Sequence, residues 1–244
     1  MPNWCENTLD IHVRKDVWEN TLEKLLFVDY DEDNKKSALG WHRRFSFTAL
    51  KPLPSPLQGT TAPARIVSQE KYDEWLKKEK TDEWEKHYHP ITEEMSADYK
   101  SKYGFNNWYD WQVHNWGTKW DANVYHVNVD KHEDTDTEMY DVQICFETAW
   151  SPPYDWFHSL HESMKHLGVY AELRFSEEGC DFAGTYHSEG EEFYETEGYI
   201  YQVDEISGEV VTYDSKLNIY RNRKGQFVSC DCVYSDASYD GEPV

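Results

Sequence analysis

The clearest pattern in the chain is an alternation of apolar and polar residues near its start. Over residues 5–14, Leu9, Ile11 and Val13 share one parity and polar side chains hold the other, which predicts a half-buried β-strand. The apolar spacing then changes to that of an amphipathic helix over residues 16–26. Further patterns predict strands at 45–50, 124–129, 140–146, 169–175 and 181–186, a hairpin of 219–221 with 226–228, and helices at 68–103, 107–116 and 151–166.

The order of these elements indicates an α+β protein. Strand–helix–strand, followed by strand–strand–helix–strand, fits a ferredoxin-like antiparallel sheet. The charged helical stretch at about 68–117 is then an inserted arm. We expect residues 1–187 to form this core and residues 188–244 to form an acidic β-rich extension packed on it.

Composition excludes some classes of protein. The chain contains 11 Trp, 18 Tyr and 10 Phe, whereas disordered chains are poor in aromatic residues. No apolar run is long enough for a membrane helix, and the first residues do not resemble a secretory signal. The five cysteines, an odd number without repeated spacing, suit free thiols in a reducing compartment. We therefore expect a cytoplasmic protein.

Net charge is the strongest signal for function. The chain has 24 basic and 47 acidic residues, and its formal charge is −23. Such a field repels phosphate backbones and anionic lipids, so we expect neither direct nucleic-acid binding nor membrane binding. A basic protein is the partner that this charge favours.

The acidic residues concentrate in the C-terminal half. Residues 172–214 contain thirteen acids and a single base, Arg174. Alternate acids on a strand lie ~6.6 Å apart, so rows of them on a rigid sheet could imitate the charges of a nucleic-acid duplex. If residues 189–197 form one strand, a first row of acids consists of Glu189, Glu191, Glu195 and Glu197. A second row consists of Asp204, Glu205 and Glu209. With Glu192, these residues form the predicted partner-binding surface.

Four blocks carry a resemblance to a known family. They read Met-Pro-Asn-Trp-Cys-Glu-Asn at 1–7, Asn-Trp-Gly-Thr-Lys-Trp-Asp-Ala at 115–122, Phe-Glu-Thr-Ala-Trp-Ser-Pro-Pro at 146–153 and Glu-Gly-Cys-Asp-Phe-Ala-Gly at 178–184. Together they resemble the YubB-like family of ferredoxin-like proteins carried by phages and plasmids. The resemblance implies a ferredoxin-like fold with an inserted helical part and a mobile-element origin. It implies no established activity.

The tryptophans in these blocks have two interpretations. Trp4, Trp116, Trp120 and Trp150 can each bury a large apolar area in a core. Alternatively, they line a pocket that uses Asn115 and Lys119, together with Asn3 and Asp121, as polar groups. In such a pocket the rings would stack on a base and a cation would meet a phosphate.

No motif indicates catalysis or a metal. Cys230-x-Cys232 lacks the usual spacer of a zinc site, and His158 and His161 suit a polar helix face. Neither a nucleophile elbow nor a phosphate-binding glycine loop occurs. His-x-Asp and Asp-x-Asp patterns near strand ends are not distinctive. We therefore expect no catalytic residue, no cofactor and no metal, and the sequence favours a non-enzymatic role.

Two functional hypotheses follow. The first is a mobile-element protein that inhibits a host defence system by nucleic-acid mimicry and binds a basic DNA- or RNA-handling component. The alternative is the binding of a nucleotide or small-molecule signal, as a sponge or hydrolase, through the tryptophan pocket. An assembly protein whose charge maintains solubility is a third possibility. The sequence predicts no oligomeric state.

Overall fold

The element boundaries come from a computed structural model that describes residues 3–29, 43–134, 137–180, 182–204, 210–214, 219–222, 227–228 and 233–238. The strands are β1 (Trp4–Arg14), β2 (Phe27–Asp29), β3 (Arg43–Phe45), β4 (Ile66–Val67), β5 (Ile91–Thr92), β6 (Asn123–Asp134), β7 (Thr137–Ala149), β8 (Tyr170–Glu177), β9 (Phe182–Glu189), β10 (Glu192–Asp204), β11 (Val210–Asp214), β12 (Ile219–Asn222), β13 (Phe227–Val228) and β14 (Val233–Ser238). The α-helices are α1 (Lys15–Val17), α2 (Glu23–Leu26), α3 (Gln69–Lys77), α4 (Glu83–His87), α5 (Glu93–Tyr103), α6 (Trp108–Trp116) and α7 (Tyr154–Met164), with a π-helical segment, Trp18–Leu22, between α1 and α2.

Most of the described strands form one large antiparallel sheet. Its order is β13-β12-β11-β10-β9-β8-β1-β7-β6, and β14 pairs with β10. The pairs β2/β3 and β4/β5 lie outside this sheet, antiparallel and parallel respectively. The protein is therefore a mixed α+β protein, as the pattern predicted. Within the described residues, no helix combines the length and the apolar character needed to cross a membrane.

The chain divides into two compact units. Unit 1 consists of Met1–Thr21, Asn123–Pro152 and His161–Val244, and unit 2 consists of Leu22–Ala122 and Pro153–Leu160. Both are discontinuous in sequence. The division into a core at 1–187 and an extension at 188–244 stays a prediction.

Unit 1 is organised around β1. In this strand, Leu9, Ile11 and Val13 are buried while the alternate positions are partly or fully exposed. β7 and β8 flank β1 and alternate in the same way. Burial of each large apolar side chain stabilises the fold by ~1.5–3 kcal/mol. The buried face of β1, β7 and β8 therefore stabilises the sheet. Its other buried members include Val142, Ile144, Phe146, Ala171, Leu173, Phe175 and Tyr186.

Unit 2 has an aromatic core. The rings of Phe45 and Phe47 lie 5.4 and 4.8 Å from that of Trp156, and Phe47 also contacts Trp116 at 5.8 Å. Edge-to-face contacts of this kind add to the free energy of area burial. The buried Trp116 indole N–H donates to the carbonyl of Lys51 at 2.9 Å. The apolar part of unit 2 is thus built largely from stacked and edge-on rings.

One predicted element of unit 2 is wrong. The strand predicted at 45–50 ends at Phe45, because Ser46 caps a 3₁₀ turn over Phe47–Ala49. The stretch predicted to be helical at 68–103 consists of three helices, α3, α4 and α5. Asp82 and Thr92 cap the second and third of these through their side chains. A capping side chain accepts from the N–H groups at the start of a new helix, so a cap inside a helical pattern separates one helix from the next. The apolar periodicity of the sequence does not show these boundaries.

Gly184 on β9 gives a test of packing in unit 1. A Cβ at this position would lie 2.4 Å from Phe175 Cζ and 2.5 Å from the carbonyl oxygen of Thr196. We expect Gly184→Ala to lower the free energy of unfolding by about 2 kcal/mol, because a backbone atom cannot move aside cheaply. Urea denaturation followed by circular dichroism measures this change.

The matched control is Glu195→Ala, at an exposed position of the neighbouring strand β10. It should change the free energy of unfolding by less than about 0.5 kcal/mol. Equal effects of the two substitutions would contradict the close packing of β9 against β10.

Candidate functional site

One face of the unit 1 sheet is polar across six adjacent strands. Cross-strand pairing places the exposed or half-exposed alternate positions of β6, β7, β1, β8, β9 and β10 on the same side. We call this surface the polar sheet face. It includes Glu6, Asp10 and His12 of β1, Asn128, Asp130 and His132 of β6, Asp141, Gln143 and Glu147 of β7, Tyr170, Glu172 and Arg174 of β8, His187 and Glu189 of β9, and Glu192 and Tyr194 of β10.

Two histidines share one carboxylate near the β6 edge of this face. His12 pairs directly with Asp141, and His132 reaches the same aspartate from β6. His12 Nδ1 lies 2.6 Å from Asp141 Oδ1, and His132 Nδ1 lies 3.3 Å from Asp141 Oδ2. The two imidazole rings are 5.7 Å apart at 30°. The three ligand atoms lie within 4.8 Å of one another, an arrangement able to hold a metal ion.

The histidine–aspartate cluster borders an open depression of about 290 Å³. Asp10 on its wall is fixed by two donors: Arg174 Nη2 at 2.6 Å and Gln143 Nε2 at 2.9 Å. Asp130 accepts from Asn128 Nδ2 at 2.7 Å. Two carboxylates that line the depression, those of Asp10 and Asp130, are therefore held in defined orientations by hydrogen bonds.

A second group of charges lies towards β10. Glu189 and Glu192 are directly opposite each other across the β9–β10 pair, and Glu191 lies in the turn between them. Tyr194 donates to Glu192, and this hydrogen bond raises the pKa of Tyr194. We call Glu189, Glu191 and Glu192 the hairpin carboxylates.

The pKa of the Tyr170 phenol is raised in the same acidic surroundings. Burial, followed by its 2.9 Å hydrogen bond to Glu172, raises the pKa of Tyr170, and the charge of Glu189 adds to the shift. Glu172 also lies 3.2 Å from His187 Nδ1 and 3.4 Å from Arg174 Nε. Negative charge on this face is thus partly offset by Arg174 on β8, and less so at the hairpin carboxylates.

The predicted acidic row is divided. It assumed one strand through Glu189, Glu191, Glu195 and Glu197, but β9 ends at Glu189 and β10 begins at Glu192. Glu195 pairs with buried Tyr186 and Glu197 with Gly184, so both have the opposite parity to Glu192. A turn at 190 and 191 causes the division, and Gly190 adopts φ +54° there. Asp204 is the last residue of β10, and Glu205 and Glu209 lie outside the described residues.

The predicted tryptophan pocket has members in both units. Trp4 and Trp150 belong to unit 1, whereas Asn115, Trp116, Lys119 and Trp120 belong to unit 2. Trp116 is 1% exposed and packs against Phe47 in the aromatic core of unit 2. Lys119 Nζ lies 4.5 Å from the ring of Trp120, a cation–π contact. The nucleotide-pocket alternative stays a prediction.

Polar residues of the quoted blocks have structural partners. Asp121 accepts from the backbone N–H groups of Phe47 and Ala122 at 2.7 and 2.9 Å and from the Ser46 hydroxyl at 2.5 Å. In unit 1, Asn7 Nδ2 donates to Thr148 Oγ1 at 2.9 Å. The Asn3 carbonyl accepts from the N–H of Trp150 at 3.0 Å. These contacts explain the residue types without a ligand.

Glu177 and Gly179 form another structural contact beside the fourth block. Glu177 is buried, and its carboxylate accepts the N–H groups of Gly179 and Cys180 at 2.8 and 2.7 Å. A Cβ at Gly179 would lie 2.4 Å from Asn3 Nδ2, the end of a flexible side chain. The Asn3 side chain of the first block therefore lies against the turn after β8.

Sequence analysis missed the histidine–aspartate cluster. The signal present was Asp-x-His, which occurs at 10–12 on β1 and at 130–132 on β6. This spacing puts both residues of each pair on one face of a strand. Nothing in the sequence showed that β7 lies between those two strands, with Asp141 opposite His12.

Comparisons with known proteins give little further information. No protein-family model matches the chain, and no curated protein matches it. Among solved structures, the chain is similar to the crystal structure of a protein api92 from Yersinia pseudotuberculosis, described with the family model DUF1281. The identity is 10%, the match covers 82% of this chain and 98% of that chain, and the TM-score is 0.34. A TM-score this low carries no argument, and the YubB-like resemblance stays a prediction.

Cysteine labelling tests the burial of the first block. Burial raises the pKa of Cys5 to about 12, whereas Cys180 is exposed. Because the thiolate is the reactive form, iodoacetamide at pH 8 should modify Cys180 in the folded protein and leave Cys5 unmodified. Peptide mass spectrometry identifies the sites.

Protein unfolded in urea is the control, since both thiols should then react. Modification of Cys5 at the rate of Cys180 in folded protein would contradict the position of β1 in the sheet interior.

Proposed function

We propose that the protein is a non-enzymatic, acidic inhibitor from a phage or plasmid that binds a basic, nucleic-acid-handling component of a host defence system. It would compete with nucleic acid for the basic surface of that component, in the host cytoplasm. The observation that carries the proposal is the polar sheet face, which has a carboxylate on each of its six described strands.

We further propose that the scaffold of this face is ferredoxin-like. The strand order β8-β1-β7-β6, with helical segments after β1 and after β7, supports this assignment. The helical stretch at about 68–117, which contains α3–α6, would be the insertion of the family that the four blocks resemble. The ferredoxin-like assignment does not by itself indicate a function, because one fold hosts many functions. The functional proposal depends on the polar sheet face.

The hairpin carboxylates support binding of a cationic partner. Like charges directly opposite each other on a sheet destabilise the pair, and Glu189 faces Glu192 in this way. Glu191 is 74% exposed at its side chain, and its contact with Lys165 Nζ is 3.7 Å long. Lysine or arginine side chains of a partner would relieve this repulsion. Binding of a basic surface would therefore stabilise the hairpin carboxylates.

The dimensions of the face suit a broad contact. Six adjacent strands spaced ~4.8 Å apart span ~24 Å, and alternate carboxylates on one strand are ~6.6 Å apart. That spacing is about twice the ~3.4 Å of helix axis that corresponds to one phosphate on each DNA strand. The rigid strands keep the charges in position, which a mimic of a nucleic-acid backbone requires.

Charge neutralisation tests the proposal. The full chain is immobilised, basic proteins are captured from bacterial lysate, and the affinity of a captured protein is measured at rising salt. Changing the hairpin carboxylates Glu189, Glu191 and Glu192 together to Gln should weaken binding by about 10-fold, since exposed charge pairs contribute ~0.2–1 kcal/mol each. A short DNA duplex should displace the wild-type chain.

The matched control changes three exposed acids of unit 2, Glu70, Glu74 and Glu79, to Gln. It removes the same net charge and should leave affinity nearly unchanged. The proposal fails if both variants lose affinity equally, or if the duplex does not compete with the chain.

A further inference from the structure

We propose that His12, His132 and Asp141 form a binding site for a divalent transition-metal ion, with zinc the ion best suited among abundant metals. This site is independent of the acidic-inhibitor proposal, because it uses a local set of ligands and not the net charge of the face. The observation that supports the metal site is that two imidazole Nδ1 atoms approach the two oxygens of one carboxylate.

The separations of the ligand atoms are close to those that zinc requires. With Zn–N and Zn–O distances of ~2.0–2.2 Å, tetrahedral ligands lie ~3.3–3.5 Å apart. His132 Nδ1 and Asp141 Oδ2 are already 3.3 Å apart. His12 Nδ1 and Asp141 Oδ1, at 2.6 Å, are at hydrogen-bonding distance and need to separate by less than about 1 Å, which rotation of exposed side chains allows.

The backbone around the site is well defined. His12 lies on the central strand β1, Asp141 lies on β7 beside it, and His132 lies on the adjoining strand β6. The buried neighbours Ile11 and Val142 fix the register from the opposite face of the sheet. Ligands on paired strands are held more accurately than ligands on loops.

The donor set selects a class of metal. Imidazole nitrogen suits zinc, iron, copper and nickel, whereas magnesium and calcium prefer oxygen ligands alone. Asp10 and Asp130 line the adjacent depression and add negative charge that favours any cation. The two histidines therefore provide the selectivity and the carboxylates provide general attraction.

Three protein ligands leave a coordination position open to the depression. The side chains of His12, His132 and Asp141 are 43%, 38% and 57% exposed, so water or a small oxygen-donor ligand can reach the ion. Catalytic zinc sites share this combination of three protein ligands and one exchangeable position, whereas structural sites are closed. The geometry thus favours a site that binds an exchangeable ligand.

Metal titration tests the site in the full chain carrying Cys230→Ser and Cys232→Ser, which removes thiols whose positions lie outside the described residues. Calorimetry with zinc in a large excess of magnesium should give one bound zinc per chain. Cobalt(II) should give visible bands of a nitrogen–oxygen site without thiolate charge transfer. His12→Ala and His132→Ala should each weaken zinc binding by at least about 10–100-fold, the loss seen when even outer-shell partners are removed.

The matched control is His126→Ala, an exposed histidine on the same strand as His132, six residues or ~20 Å away. It should bind zinc like the parent protein. Circular dichroism confirms that each variant is folded. The proposal is overturned if the parent binds no zinc under these conditions, or if His126→Ala weakens binding as much as His12→Ala and His132→Ala.

Discussion

The register of β1 between β7 and β8 is the constraint on which the sheet of unit 1 depends. Side chains alternate between faces with a period of two, so a slip of one residue would exchange the faces of a strand. Leu9 and Ile11 would then face solvent, and Asp10 and His12 would enter the apolar side. The free energy of burying the apolar positions therefore also fixes the positions of the polar ones.

Negative charge and the histidine–aspartate cluster are two properties of the same polar sheet face. Near β8, Arg174 partly compensates the carboxylates, and His187 lies 3.2 Å from Glu172. At the hairpin carboxylates, the longer contact of Glu191 with Lys165 gives partial compensation. The carboxylates Asp10 and Asp130 at the depression are held by hydrogen bonds, whereas Glu189 and Glu192 face each other at the β9–β10 turn. A basic partner and a metal ion would bind to different parts of this face.

The quoted blocks have mainly structural explanations. Asp121 orders the start of a 3₁₀ turn in unit 2, and Glu177 orders the turn after β8 in unit 1. Gly184 is needed because the backbone oxygen of Thr196 would lie 2.5 Å from a Cβ at this position. Resemblance in these blocks therefore concerns the scaffold. The polar sheet face lies largely outside them, and its function has to be argued from its own side chains.

Local pattern determined the strands and helices of unit 1, since alternation and helical spacing need only neighbouring residues. The predictions for β1, β7 and β8 are accordingly confirmed. Where a capping residue or a turn interrupted a pattern, as at Ser46 and at residues 190 and 191, local reasoning was wrong. The meeting of His12 with Asp141 and His132 was decided only by the tertiary structure. His12 lies more than one hundred positions from the other two residues in the chain, and only the strand order and register, set by burial of the opposite face, bring it to them.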